Sequence, residues 1–350
     1  MSKFLKKKMS TIISFYTIIL VIFFLNRLFI NKNLLLSHSG DKHQKFVCKK
    51  SVPLIGGIFL TFLFILVFAK FDKYFEIMLI FSFFLLGIFT DLKILKSAKK
   101  RLLIQAFFII LLIFFSKLEI IDTRVDFLNV ILEYKFFNFC FVVFCLLVLI
   151  NGSNFIDGLN GLLVGYFIMI SIILIKIDFF QYYNAKFDEI LFFLTILFLV
   201  FVFNIFNKLY LGDNGAYVLS IFFGLMIIEY HQNHPVISPY FFILLLWYPC
   251  FENLFSIIRK FRTKKSPISP DTNHLHQLLF YFLKRKNKFT DLMNNNFSSL
   301  ILLLFNSLIF IISLKDVYST SLQVVTIFFS IIFYIIIYIY LFNFKYSNYK

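Results

Sequence analysis

Phe136-Phe-Asn-Phe-Cys-Phe-Val-Val-Phe-Cys-Leu-Leu-Val-Leu-Ile150 runs directly into Asn151-Gly-Ser-Asn-Phe-Ile-Asp-Gly-Leu-Asn-Gly161, and a second apolar run begins at Leu162. The first run carries no charge. The island after it carries amides, a carboxylate and glycines. Polar and ionisable groups are costly near lipid and are seldom placed there without a function. Three further islands repeat the pattern at the ends of apolar runs: Gly87-Ile-Phe-Thr-Asp91, Leu211-Gly-Asp-Asn-Gly215 and Pro270-Asp-Thr-Asn-His-Leu-His276. Four islands at span ends point to one shared polar site at a membrane surface, as in an enzyme acting on a lipid.

Composition agrees. The chain is 60% hydrophobic and 15% charged, with a mean hydropathy of +0.87. A soluble domain does not need that much apolar surface, so the solvent is largely lipid. A span needs about 20 mostly apolar residues. Eleven runs qualify as candidates: 11–30, 51–69, 74–90, 102–116, 136–151, 161–178, 188–206, 216–230, 238–258, 299–315 and 321–343. Backbone groups in lipid must be bonded within each span. The expected fold is therefore all-α: one polytopic transmembrane helical bundle over 1–350, with its active-site loops on the cytoplasmic side. Lys6-Lys-Lys8 before an apolar stretch resembles a signal peptide, but no small-residue cleavage site follows. It is read as an uncleaved first helix.

The charge sets the orientation. The net charge is +17. The odd-numbered connections, 31–50, 91–101, 152–160, 207–215 and 259–298, hold 20 lysines and arginines between them, and the even ones hold a handful. Basic loops mark the cytoplasmic side. All four islands lie in or beside odd connections, which puts the site inside the cell at the inner membrane. Lys3, Lys6, Lys7 and Lys8 oppose this orientation. The charge is scattered over short loops, so nucleic acid is not an expected partner. Cys48, Cys140, Cys145 and Cys250 form no Cys-x-x-Cys pair and are read as free thiols. The 55 Phe follow from a composition also rich in Ile, Lys and Asn.

Asp91, Asp157 and Asp213 each open or close a helix. Asn151, Asn154 and Asp157 repeat every three residues, which places them on one helical face. Carboxylate and amide oxygens suit a hard ion such as Mg2+, or Mn2+ in its place, that also binds substrate phosphates. The plainer reading of any one island is helix capping beside turn glycines. His274-Leu-His276 follows a basic stretch from Arg259 to Lys265. It suits phosphate binding or proton exchange better than a transition metal, because two histidines without cysteine are too few ligands.

The islands also come in a telling order. Pro53-Leu-Ile-Gly-Gly57 precedes Gly87-x-x-Thr-Asp91 with Arg101-Leu-Leu-Ile-Gln105. The 151–161 island, Gly212-Asp-Asn-Gly215, Phe255-Ser-Ile-Ile-Arg259 and Pro270-Asp-x-x-His-Leu-His276 follow. Over about residues 45–280 this resembles the polyprenyl-phosphate N-acetylhexosamine-1-phosphate transferases, in particular the undecaprenyl-phosphate GlcNAc-1-phosphate branch. The phospho-MurNAc-pentapeptide transferases are more distant. The resemblance implies transfer of HexNAc-1-phosphate from a UDP-sugar to undecaprenyl phosphate, with Mg2+ and release of UMP. It implies that Asp213, with Asn154, ligates the metal, and that Asp91 sits near the lipid phosphate. Asn154 and Asp157 would shape the nucleotide side, and Asn151 and Asn160 would also bind substrate. Lys50, Arg101, His274 and His276 would hold phosphates. Such a step would start an O-antigen, wall polymer or peptidoglycan precursor, and leaves a homodimer open.

The chain departs from the family pattern in four places. The usual Asp-Asp is Thr90-Asp91, a second aspartate is replaced by Asn160, Ala216 stands where Ser is usual, and the histidine run ends in Gln277. Two rival readings follow. A transporter or flippase of lipid-linked sugars would carry charges within its spans. Here only Arg27, Glu76, Glu229 and Glu252 lie clearly inside candidate spans. The other rival is an inactive relative that binds prenyl phosphate.

Overall fold

The computed structural model describes residues 2–36, 52–70, 73–264, 266, 271–286 and 288–347, with only the backbone for 2–15 and 18. The helices are α1 (Ser2–Asn31), α2 (Gly56–Lys70), α3 (Tyr74–Asp91), α4 (Ala98–Ser116), α5 (Asp126–Leu132), α6 (Lys135–Ile156), α7 (Leu162–Lys176) and α8 (Phe179–Tyr182). They continue with α9 (Phe187–Ile205), α10 (Gly212–Asn233), α11 (Pro239–Leu245), α12 (Trp247–Arg262), α13 (Leu275–Lys286), α14 (Asp291–Ser313) and α15 (Thr320–Ser347). Among the described residues no strand forms; Leu36 and Pro53 make an isolated bridge.

α10 is the axis of the bundle. Its residues from Asn214 to Ile227 are all buried, and α2, α3 and α6 pack around it. A helix that is apolar all round has no face for solvent and must sit at the centre. Outward-facing phenylalanines and aliphatic residues cover the outer helices: Phe114, Phe136, Phe187, Leu308 and Phe329 are well exposed. In water such a surface would be a liability; in lipid it is the solvated face.

Among the described residues five helices, α3, α6, α9, α14 and α15, are long and apolar enough to cross a membrane. α11 and α12 make a sixth if taken as one span, although they meet at 75°. The expected eleven spans therefore need correction in their form. Each expected run falls on a helix, but α2 and α7 have 15 residues, which reach only about 22 Å at 1.5 Å per residue. α10 starts and ends in polar residues. The run 238–258 is broken at Leu246. Pro249 has no N–H to offer the Leu245 carbonyl, and the Tyr166 hydroxyl donates to that carbonyl instead, at 2.9 Å.

The helix directions gather the islands. The C-terminal ends of α3 and α6 meet the N-terminal ends of α2, α4, α7 and α10, with His274 and the start of α13 beside them.

Candidate active site

The island Gly212–Gly215 opens α10 under tight restraint. Gly212 has φ of +72°, a conformation that favours glycine. The turn aims the Asp213 and Asn214 N–H groups at Asp91, at 3.0 and 3.2 Å from its two carboxylate oxygens. The Asn214 amide donates to Asp91 as well and to the Leu54 carbonyl at 3.2 Å. A carboxylate at a helix N-terminus meets unsatisfied donors and a favourable dipole. A Cβ on Gly57 would fall 1.7 Å from the Asn214 side-chain oxygen, and one on Gly87 would fall 2.2 Å from the Asn214 Cα. Two helices thus close directly onto one asparagine. Sequence reasoning did not single out Asn214; the glycines opposite it were the available signal.

Asp213 faces the other islands. Arg101 Nη1 lies 3.0 Å from its Oδ2, and the Tyr217 hydroxyl donates to the same oxygen at 3.3 Å. The Asn154 side chain also hydrogen-bonds to it. Asn151, one turn earlier on α6, donates to the Gln105 side chain at 3.1 Å and to the Leu147 carbonyl at 2.9 Å. Asp157 closes α6 with its N–H on the Ser153 carbonyl. Burial raises the Asp157 carboxyl well above its ordinary range, and the negative charges of Asp213 and Asp91 push it further the same way. The three aspartates therefore share one field, although their islands are 66 and 56 residues apart in sequence.

Asn160 belongs to a different set. Its backbone N–H donates to Asn295 at 2.8 Å and its side-chain amide to Asn207. Asn204 accepts from the Gly161 N–H and donates to the Leu209 carbonyl. These amides tie the turn before α7 to α9 and α14. Asn160 is thus a holder of the turn that carries Asp157.

The histidine island lies on the same end. His276 packs against Gly158, where a Cβ would come within 2.6 Å of its Nε2. It is fully buried, and neither ring nitrogen has a hydrogen-bond partner. Burial, with His274 nearby, pushes its pKa down to about 3, so it is neutral near pH 7. His274 is differently placed, with Nδ1 2.9 Å from the buried Glu252. Arg259 binds Asp271, the Asn273 carbonyl and, at 2.9 Å, the Tyr338 hydroxyl. It ties the end of α12 to Asp271 and Asn273, just before α13. Lys50 and Pro270 lie outside the described residues, as does Cys48. Cys140, Cys145 and Cys250 are free.

The donor set fits a hard divalent cation. Asp213, Asp157 and Asn154 offer only oxygen ligands, and the mutual repulsion felt at Asp157 is what a cation would relieve. Among the described residues no three His, Cys, Asp or Glu side chains stand ready to cage a metal by themselves. Mg2+ is commonly held by one or two carboxylates together with substrate phosphates and water.

Residues 74–231 match Glycosyl transferase family 4. The segment includes Asp91, Arg101, Asn151, Asn154, Asp157, Asn160 and Asp213, and stops short of His274 and His276. The chain is similar to the undecaprenyl-phosphate alpha-N-acetylglucosaminyl 1-phosphate transferase of Thermotoga maritima, with 25% identity over 65% of this chain and 68% of the relative. It is similar to a probable undecaprenyl-phosphate N-acetylglucosaminyl 1-phosphate transferase of Bacillus subtilis, with 26% identity over 58% of this chain and 56% of that one. The Escherichia coli undecaprenyl-phosphate alpha-N-acetylglucosaminyl 1-phosphate transferase is 23% identical over 52% of each. The matches thus span little more than half the length of the latter two.

Proposed function

We propose that this chain, whose residues 74–231 match Glycosyl transferase family 4, moves N-acetylglucosamine-1-phosphate or a related HexNAc-1-phosphate from a UDP-sugar to undecaprenyl phosphate. An oxygen of the lipid phosphate attacks the β-phosphorus of the UDP-sugar. The bond from that phosphorus to the bridging oxygen breaks, and UMP leaves with the electron pair. The product is a lipid-linked diphospho-sugar, and the bond between sugar and phosphate is untouched. The observation that carries this reading is the meeting of Asp91, Asp157 and Asp213 with Arg101 and Asn154 at one end of a lipid-facing bundle.

A phosphate monoester is already ionised near neutral pH, so the attack requires no strong base. The work is alignment and charge neutralisation. Asp213, Asp157 and Asn154 would hold Mg2+, which when bound supplies charge neutralisation for the diphosphate and the departing UMP. Arg101 keeps Asp213 oriented and adds a fixed positive charge beside the phosphates. Asp91 acts one step back: by gripping two N–H groups of α10 it sets where Asp213 points. His276, neutral and buried beside Gly158, has a ring N–H to offer a phosphate oxygen. The site faces the cytoplasm, where nucleotide sugars are made available, in keeping with the basic odd-numbered loops.

The test uses purified protein in detergent with undecaprenyl phosphate, Mg2+ and a panel of UDP-sugars, reading UMP release and the lipid product. Release that depends on both substrates supports the reading. Absence of release with every UDP-sugar, in protein that is folded and binds the lipid phosphate, overturns it.

A further inference from the structure

Glu252 lies in α12, beyond the matched segment, and is fully buried. A buried carboxylate is unfavourable unless its lone pairs are met. Here they are. Oε1 sits 2.9 Å from His274 Nδ1 and accepts from the Leu275 N–H at 3.3 Å. Oε2 accepts from the Tyr334 hydroxyl at 2.7 Å. The residues come from α12, the start of α13 and the middle of α15, so three elements converge on one side chain. Breaking one partner of such a pair costs far more than the pair contributes as a structural tie. An apolar residue would have served packing as well.

The remaining contacts of His274 say what is being arranged. Its ring lies 4.9 Å from that of Phe155 and 5.7 Å, nearly parallel, from that of His276. Phe155 follows Asn154 in the island that carries Asp157, and His276 packs on Gly158 of the same island. With Nδ1 committed to Glu252, Nε2 is the only polar atom that His274 has left. The hydrogen bond on one ring nitrogen decides what the other can do. An anionic oxygen of a ligand would therefore meet His274 at Nε2.

We propose that Glu252 is a positioning residue that fixes the ring and the Nδ1–H of His274, with Tyr334 holding the carboxylate in turn, so that His274 presents Nε2 to the phosphates of the sugar nucleotide. This rests on the transferase reading above and adds to it residues from outside the matched segment, including the helix α15.

The experiment is a kinetic cycle on the full-length protein with UDP-N-acetylglucosamine, or whichever UDP-sugar is the donor, and undecaprenyl phosphate. Glu252→Gln keeps the size and an acceptor but removes the charge. It should raise the KM for the UDP-sugar roughly tenfold and leave the KM for the lipid phosphate nearly unchanged. Tyr334→Phe should shift the same constant in the same direction by less. In a His274→Gln background Glu252→Gln should add nothing, because the two act as a unit. Glu252→Gln that leaves the donor KM unchanged, or that raises both KM values alike, overturns the proposal. So does full additivity with His274→Gln. If Glu252→Gln does not fold, Tyr334→Phe decides by the same two constants. A wild-type protein that is inactive with every UDP-sugar overturns the transferase reading instead, an outcome visible before any variant is made.

Discussion

Arg101 on the first turn of α4 holds Asp213 on the first turn of α10 at 3.0 Å, across 112 residues of sequence. The pair is half-buried, and Asp213 also answers to Tyr217 and Asn154. Asp213→Asn would keep the shape and remove the charge. Turnover should fall by several orders of magnitude while the protein still inserts and melts at a similar temperature. Near-wild-type UMP release at low Mg2+ would sink the metal-ligand role of Asp213.

Asp91 and Thr90 should behave very differently. Asp91 accepts from two N–H groups and the Asn214 amide, so Asp91→Asn would set an NH2 against at least one donor. A buried donor left without a partner costs about 1–3 kcal/mol. The variant should melt lower and lose most activity. The Thr90 hydroxyl donates back to the Leu86 carbonyl at 3.0 Å, a local bond of its own helix. Thr90→Ala should cost about 1 kcal/mol or less and keep most activity. Matched UMP-release rates and melting curves for the two variants would decide; a dead Thr90→Ala beside an active Asp91→Asn contradicts both roles.

Asp157 predicts a pH effect on stability without added metal. Its carboxyl is raised in the folded protein by burial and by Asp213 and Asp91. Above the ordinary carboxylate range the unfolded chain has released this proton while the folded one still holds it. The folded state binds more protons there, so stability falls as pH rises from about 4 toward the folded value. Melting temperatures measured in a chelator should decline across that window. Asp157→Asn should flatten the decline, and Mg2+ should reduce it at the upper end. An identical pH slope in wild type and Asp157→Asn would remove the argument.

Gly57→Ala and Gly87→Ala should both destabilise the protein. Each Cβ would overlap Asn214, and overpacking of this kind typically costs about 1–3 kcal/mol. Pairing either with Asn214→Ala should recover part of the loss at Gly57, where the clash is with the side chain, and little at Gly87, where it is with the backbone. Detergent melting curves of the four proteins test this; equal recovery at both glycines would count against the close contacts.

The islands and the apolar runs were legible because each is local: composition and spacing over a few residues carry them. Their meeting was legible from the order of the connections. The break at Leu246 was not. The run 238–258 stays apolar through it, and its cause lies in a missing donor at Pro249 and a hydroxyl from Tyr166. Asn160 stands in the sequence as a candidate substrate-binding amide; its bonds to Asn207 and Asn295, 47 and 135 residues away, leave no local signal. Glu252 stood out as a charge inside an apolar run, but Tyr334, 82 residues on, could not be paired with it. Long-range hydrogen bonds leave no periodicity to read.

Asn214 sits under two glycines from two other helices, and that arrangement constrains how such a chain can diverge. A phenylalanine on the lipid face can be exchanged for another oily residue with no neighbour taking notice. Positions 57, 87 and 214 have no such freedom. Enlarging one requires room that only the others hold, so related chains should drift widely over their greasy exterior while these three are inherited together.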